Sequence, residues 1–311
     1  MALVAAFEDQ VVDTTSVFDT QNGELTFYSK YKVRDSRKGG YGKIPITEIF
    51  ERSSNTGMVQ AIYDQYKKKP EQFVNRLMNM GLNEPLGLPI VGEGKPLIPH
   101  PDKNGWSGIS LPWMAYGYGV LLTPMQILTF YNAIANDGVM VKPRFIERTQ
   151  DAWSKMKRNS EVEIISASVC SKETIGKAKS LLKGVVEKPW GTAHNIYDPN
   201  FAIAGKTGTC QLDYNTEEIQ YVASFVGYFP SNRPKYSCIV LVHRPNKEKG
   251  YFGSTVAAPV FQKIAHKLYS SIPVETRLSR ERYLEITQPK IETSKGVIDA
   301  KVNITNTQNK S

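Results

Sequence analysis

Cysteine is scarce in this 311-residue sequence: Cys170, Cys210 and Cys238 are the only three. They are too few and too scattered for a disulfide framework or a thiolate metal site, and small buried hydrophobes is their expected role. Four histidines, His100, His194, His243 and His266, lie far apart, and no H-E-x-x-H occurs. No zinc site is expected, and the sequence implies neither a metal nor a cofactor. No apolar run approaches the ~20 residues of a membrane-spanning helix. The first residues carry neither the basic region nor the cleavage site of a signal peptide, so the expectation is a water-soluble segment. Internal repeats are also missing. The formal charge is +9, yet the interleaving of basic and aromatic residues that marks nucleic-acid binders is absent. Lys67-Lys68-Lys69 reads as a solvated helix face, with attraction to anionic headgroups or wall polymers as the alternative.

What is present suits a globular protein. Hydrophobic residues make up 41% and charged residues 22%, enough for a sizeable core in one large or two small domains. Met1 to Asp9 reads as the back half of a helix with no cap before it. Residues 20–45 are turn- and strand-like, with Asn22-Gly23, Leu25-Thr26-Phe27-Tyr28 and Gly39-Gly40-Tyr41-Gly42. Thr47 is the expected cap of a short helix leading to Phe50, and Asn55 or Thr56 that of the next. Pro70 opens another helix that stops near Gly81. Residues 82–112, dense in proline and glycine, read as a long surface excursion. Helices follow from Thr123-Pro124 to Asn136 and from Lys172 to Glu187. Ala202–Cys210, Gln220–Phe229 and Tyr236–His243 then switch to strand patterning. Pro259 to Leu268 returns to helix, and residues 272–311 turn polar, a loosely ordered tail or linker.

Two short motifs stand inside this pattern: Ser53-Ser54-Asn55 and Lys206-Thr207-Gly208. Between them run Tyr116-Gly117-Tyr118-Gly119, Leu122-Thr123-Pro124-Met125-Gln126 and Ala133-Ile134-Ala135-Asn136-Asp137-Gly138. Gly191-Thr192-Ala193 precedes the second motif, and Ser224-Phe225-Val226-Gly227-Tyr228-Phe229-Pro230 and Ala257-Ala258-Pro259-Val260-Phe261 follow it. A lone Lys-Thr-Gly is weak, but this order and framing together are specific. The set resembles the transpeptidase domain of penicillin-binding proteins, class B of the cell-division type, over about residues 1–271.

The resemblance implies an α/β fold of α+β type, an antiparallel five-stranded sheet flanked by helices. It implies a D,D-transpeptidase that cross-links peptidoglycan stem peptides through an acyl-serine and is acylated by β-lactams. A parent anchored in the inner membrane, with this domain in the periplasm and membrane division proteins as partners, also follows from it. In such a site Ser53 relays a proton to the leaving amine, and Asn55 bonds the substrate amide. Lys206 supplies positive potential and holds Ser53. Thr207 binds the terminal carboxylate, Gly208 lets substrate approach the strand, and the Thr209 N–H is one oxyanion donor.

The nucleophile is the gap. Ser-x-x-Lys occurs as Ser29/Lys32, Ser154/Lys157 and Ser180/Lys183. The first lies in a β-like segment, and the others follow Ser-x-Asn instead of preceding it. Leu3-Val4-Ala5-Ala6-Phe7-Glu8-Asp9 is similar to the family's continuation of the nucleophile helix. The expected serine therefore precedes Met1 in a longer parent, and with it the first sheet strands. On that expectation Tyr236–His243 is an unpaired edge, and the chain alone neither turns over nor is acylated. The alternative is a non-catalytic penicillin- or peptide-binding module acting as sensor or scaffold.

Overall fold

A seven-residue helix, α1 (Ala2–Glu8), opens the chain with Leu3, Val4, Ala5, Ala6 and Phe7 all buried. A helix apolar on every side belongs in a core. The computed structural model describes residues 1–151, 157–212, 219–270, 291–293 and 296–298. Short strands follow: β1 (Val17–Asp19), β2 (Glu24–Phe27), β3 (Tyr31–Arg34) and β4 (Lys43–Pro45). β1 pairs with β4 and β2 with β3, both antiparallel. Four helices come next, α2 (Ile46–Glu51), α3 (Asn55–Tyr66), α4 (Pro70–Asn79) and α5 (Ser110–Ala115), then α6 (Pro124–Ala135). Two small pairings join β5 (Met140–Val141) to β8 (Ile164–Ser166) and β6 (Arg148–Gln150) to β7 (Lys157–Asn159). The long α7 (Lys172–Glu187) leads to the main strands β9 (Ala204–Leu212), β10 (Gln220–Phe229) and β11 (Tyr236–His243). A single turn, α8 (Gly253–Val256), precedes α9 (Ala258–Tyr269), and a hairpin of β12 (Ile291–Thr293) and β13 (Gly296–Ile298) comes last.

The chain divides into two units, Met1–Lys263 and Ile264–Ser311. The first holds everything up to the middle of α9, and the second holds the rest of α9 and the β12–β13 hairpin. Most of the polar stretch 272–311 lies outside the described residues.

Among the described residues the main sheet has three antiparallel strands with β10 in the centre. Successive side chains of a strand alternate between faces. Phe225 and Phe229 therefore share one face, where each meets the ring of Phe261, at 4.8 and 5.6 Å. Tyr228 on the other face joins the helical core together with Ala204. Burial on both faces explains the nearly unbroken apolar run of β10. α1 packs against α3, α4 and α7. Asp9 at its end accepts hydrogen bonds from Tyr66 Oη at 2.7 Å and Arg76 Nε at 2.6 Å, fastening α1 to α3 and α4.

Several expectations change. Pro45, not Thr47, is the N-cap of α2. β4 runs straight into the helix, and Ile46 N–H bonds Ser16 O at 2.8 Å, which leaves Thr47 inside the first turn. Ser54, not Asn55 or Thr56, caps α3, its Oγ accepting from Gly57 N at 3.1 Å. The first main strand runs Ala204–Leu212 where Ala202–Cys210 was expected. Cys170 is buried and Cys238 partly so, but Cys210 is exposed, on a strand that among the described residues pairs only with β10. The 82–112 segment is pinned as well as superficial. Leu82, Leu86 and Ile98 are buried, Glu93 accepts from Leu86 N at 2.7 Å and Leu88 N at 2.9 Å, and α5 already begins at Ser110.

Candidate active site

Ser53 ends a tight turn between α2 and α3 with φ of +55°. That left-handed conformation costs a non-glycine residue about 1–2 kcal/mol, so the surroundings must hold it in place. They do so by capping. Ser54 is fully buried and donates to Asp35 Oδ2 at 2.9 Å. Thr56 gives Asp35 its Oγ1–H at 2.8 Å and its N–H at 2.9 Å. Asp35, on the loop after β3, thus fixes the start of α3 from outside and leaves Ser53 projecting. Nothing in the sequence pattern pointed to it.

Opposite Ser53 lies β9. The Lys206 ammonium donates to Ser53 Oγ and, at 3.2 Å, to Thr207 O. It also stands 5.6 Å from the centre of the Phe50 ring, where a cation is attracted to the aromatic face. Burial lowers the Lys206 pKa to about 8, because a desolvated ammonium gives up its proton more readily. Thr207 Oγ1 is 2.9 Å from Thr192 Oγ1. Gly208 pairs with Ser224 across the sheet, and a Cβ at 208 would come within 2.5 Å of Ser224 Oγ. Thr209 Oγ1 accepts from Gly253 N at 3.1 Å.

Ser53, Lys206 and Thr207 therefore meet, and Gly208 and Thr209 continue along the same strand. Asn55 stands at the first position of α3, but its amide donates to Arg34 O at 2.7 Å. Thr192 belongs to a segment that the sequence singled out only as framing, and its hydroxyl is part of the site. Of the three Ser-x-x-Lys matches, Ser29 is exposed in the turn between β2 and β3, and Ser180 is exposed on α7. Ser154 lies outside the described residues. The Met1 amine is lowered to about 6, first by burial, with Cys170 opposing the shift and Lys206 adding to it.

Such an arrangement can hold an anion against a partly desolvated ammonium and threonine hydroxyls, with the N–H and C=O groups of an edge strand beside it. Among the described residues no group of three or more His, Cys, Asp or Glu could hold a metal ion, and no helix is long and apolar enough to cross a membrane.

A mixed helix-and-sheet domain with Lys-Thr-Gly on the strand facing a Ser-x-Asn turn defines a class, and comparison with known proteins agrees with it. The family model "Penicillin binding protein transpeptidase domain" matches residues 1–266, and the chain belongs to that family. Stage V sporulation protein D of Bacillus subtilis is 27% identical over 281 residues, covering 89% of this chain and 42% of that protein. Peptidoglycan D,D-transpeptidase FtsI of Escherichia coli is 25% identical over 282 residues, 88% of this chain and 43% of its own length. The chain thus spans less than half the length of these relatives. The crystal structure of penicillin-binding protein 3 of Mycobacterium tuberculosis complexed with ampicillin superposes with a TM-score of 0.73 at 27% identity, over 86% of this chain and 60% of that one.

Proposed function

We propose that this chain is the substrate-recognising part of a peptidoglycan D,D-transpeptidase of the cell-division class. The observation that carries the reading is the contact of Lys206 with Ser53 beside the Thr207 hydroxyl. The name of the Escherichia coli relative supports the activity, and the ampicillin complex of the mycobacterial neighbour supports β-lactams as ligands. Thr207 and Lys206 hold the terminal carboxylate of the stem peptide, and Gly208 and Thr209 offer it a strand edge and an oxyanion donor. Asn55 turns from Arg34 O to the substrate amide. In the reaction a serine Oγ attacks the penultimate D-alanyl carbonyl and loses its proton to a base. The peptide C–N bond breaks, and the departing D-alanine amine takes up a proton through Ser53. An acceptor amine then attacks the acyl-serine carbonyl, the acyl C–Oγ bond breaks as the new amide forms, and the proton lost by the amine returns to the serine.

The attacking serine and its lysine come, on this reading, from residues ahead of α1 in a longer parent. Support comes from the charge interaction between the Met1 amine and Lys206, and from the exposed positions of Ser29 and Ser180. That parent is anchored in the inner membrane, meets membrane division proteins and works in the periplasm. The transpeptidase domain spans residues 1–271, and 272–311 form a tail or linker. Fluorescent penicillin followed by denaturing electrophoresis tests the assignment. No covalent band is expected from residues 1–311, and a stoichiometric band shows that the nucleophile lies within them. The same absence of Ser-x-x-Lys from the site favours a second reading, a non-catalytic binding module. The codons preceding Met1 separate the two, since an in-frame Ser-x-x-Lys supports the transpeptidase.

A further inference from the structure

Glu51 lies two residues before Ser53, and its carboxylate is not part of the reaction described above. It is 5% exposed, a rare setting for a carboxylate unless something binds it. Oε2 accepts from the indole Nε1 of Trp190 at 2.6 Å. Its backbone carbonyl accepts from Thr192 N at 3.0 Å. Space for this side chain exists only because residue 184 is glycine: a Cβ there would come within 2.1 Å of Oε1. A Cβ at Gly191 would come within 2.3 Å of Val185 O, so the Trp190–Thr192 segment lies tight on α7. The Arg52 guanidinium stands 5.6 Å from the Trp190 ring and 5.1 Å from the Tyr41 ring.

The contacts close a circuit. Ser53 takes a hydrogen bond from Lys206, and Lys206 adjoins Thr207. Thr207 shares a hydrogen bond with Thr192, Thr192 donates to Glu51, and Glu51 returns through Arg52 to Ser53. One segment sets the serine, another sets the threonine, and residue 51 joins them through its backbone carbonyl to Thr192 and its carboxylate to Trp190. When Thr207 gives its proton to a bound carboxylate, its oxygen can accept from Thr192 Oγ1 at 2.9 Å, which is nearer than the Lys206 ammonium at 3.5 Å. We propose that Glu51 is a positioning residue: the grip of its carboxylate on Trp190 holds the Trp190–Thr192 segment, and so sets the Thr207 hydroxyl at the correct separation from Ser53 for an anionic ligand. Groups that hold a recognition side chain in place contribute to affinity without touching the ligand. The inference rests on the proposed function, because it supposes that Thr207 meets a carboxylate.

The test is the reversible affinity of the full chain for fluorescent penicillin, read by anisotropy, with the melting temperature recorded beside it. Glu51→Ala is expected to weaken binding about tenfold or more. Glu51→Gln, whose amide oxygen still accepts from Trp190, is expected to stay within about threefold of the unsubstituted chain. A general structural role does not distinguish those two variants in affinity at matched melting temperature. Trp190→Phe removes the same hydrogen bond from the other side and serves if Glu51→Ala does not fold, and it is expected to show the same loss. Unchanged affinity in the folded variant, or an equal loss in Glu51→Gln, overturns the inference. No binding by the unsubstituted chain instead overturns the reading of the site, and the inference with it.

Discussion

Lys206 sets two pH dependences of opposite sign. Its folded pKa is lowered to about 8 by burial, against an ordinary lysine value of ~10.4. Between those values the unfolded chain binds a proton that the folded chain does not, so this group makes stability rise with pH across that window. Below about 8 the ammonium is charged in both states, and burial is a cost. Affinity for an anionic ligand runs the other way, because it needs the ammonium and declines as pH passes about 8. Melting temperature and anisotropy affinity from pH 7 to 10, each compared with Lys206→Met, check both signs. A pH-independent difference in affinity between the two proteins contradicts the assignment. The motif residues were legible in the sequence because chemistry restricts them to few types at fixed spacing. Glu51 and Asp35 were not, since an acidic residue in a loop or at a helix end carries no pattern until the chain folds around it.

At the scale of elements, the Ser-x-Asn turn is only as well placed as the start of α3. Asp35 accepts from Ser54 Oγ, Thr56 Oγ1 and Thr56 N, all within 2.9 Å. Losing it removes three short bonds and leaves the two hydroxyls only longer ones, to each other at 3.3 Å and to Thr20 O at 3.4 Å, so Asp35→Ala should cost about 2–3 kcal/mol in denaturant unfolding. The same variant should weaken penicillin binding, as Ser53 loses its restraint. A loss under 0.5 kcal/mol, the order of a surface change, removes Asp35 from the account. Helices α4, α6 and α7 and strands β10 and β11 were readable from the sequence, with Pro70 and Pro124 marking the starts of α4 and α6, and the structure adds a capping box between Thr123 and Gln126. The caps of α2 and α3 were misassigned by one or two residues. Which of several adjacent Ser, Thr and Asn residues caps a helix depends on partners such as Asp35 and Arg34, which are remote in sequence. The order of the main sheet was legible in part, because three successive strands with short connections pair as neighbours.

For the whole molecule, the exposed consequence is β11. Among the described residues it pairs only with β10, and Ile239-Val240-Leu241-Val242 lies along the free side, with Leu241 40% exposed. A long apolar edge recruits further strands. Concentration-dependent self-association of residues 1–311 is expected in light scattering, and Leu241→Lys should reduce it. A monodisperse unsubstituted chain at high concentration argues against this. β10, α7 and α8 pack against β9, and on one short stretch of that strand sequence, geometry and family membership converge.

That stretch is tested most directly by anisotropy of fluorescent penicillin at low protein concentration, with a peptide ending in D-alanyl-D-alanine as competitor. The account predicts reversible binding that the peptide displaces, loss of about tenfold or more in Thr207→Val, and retention in Thr207→Ser, which keeps the hydroxyl. Binding that Thr207→Val leaves unchanged, or that the peptide does not displace, contradicts it.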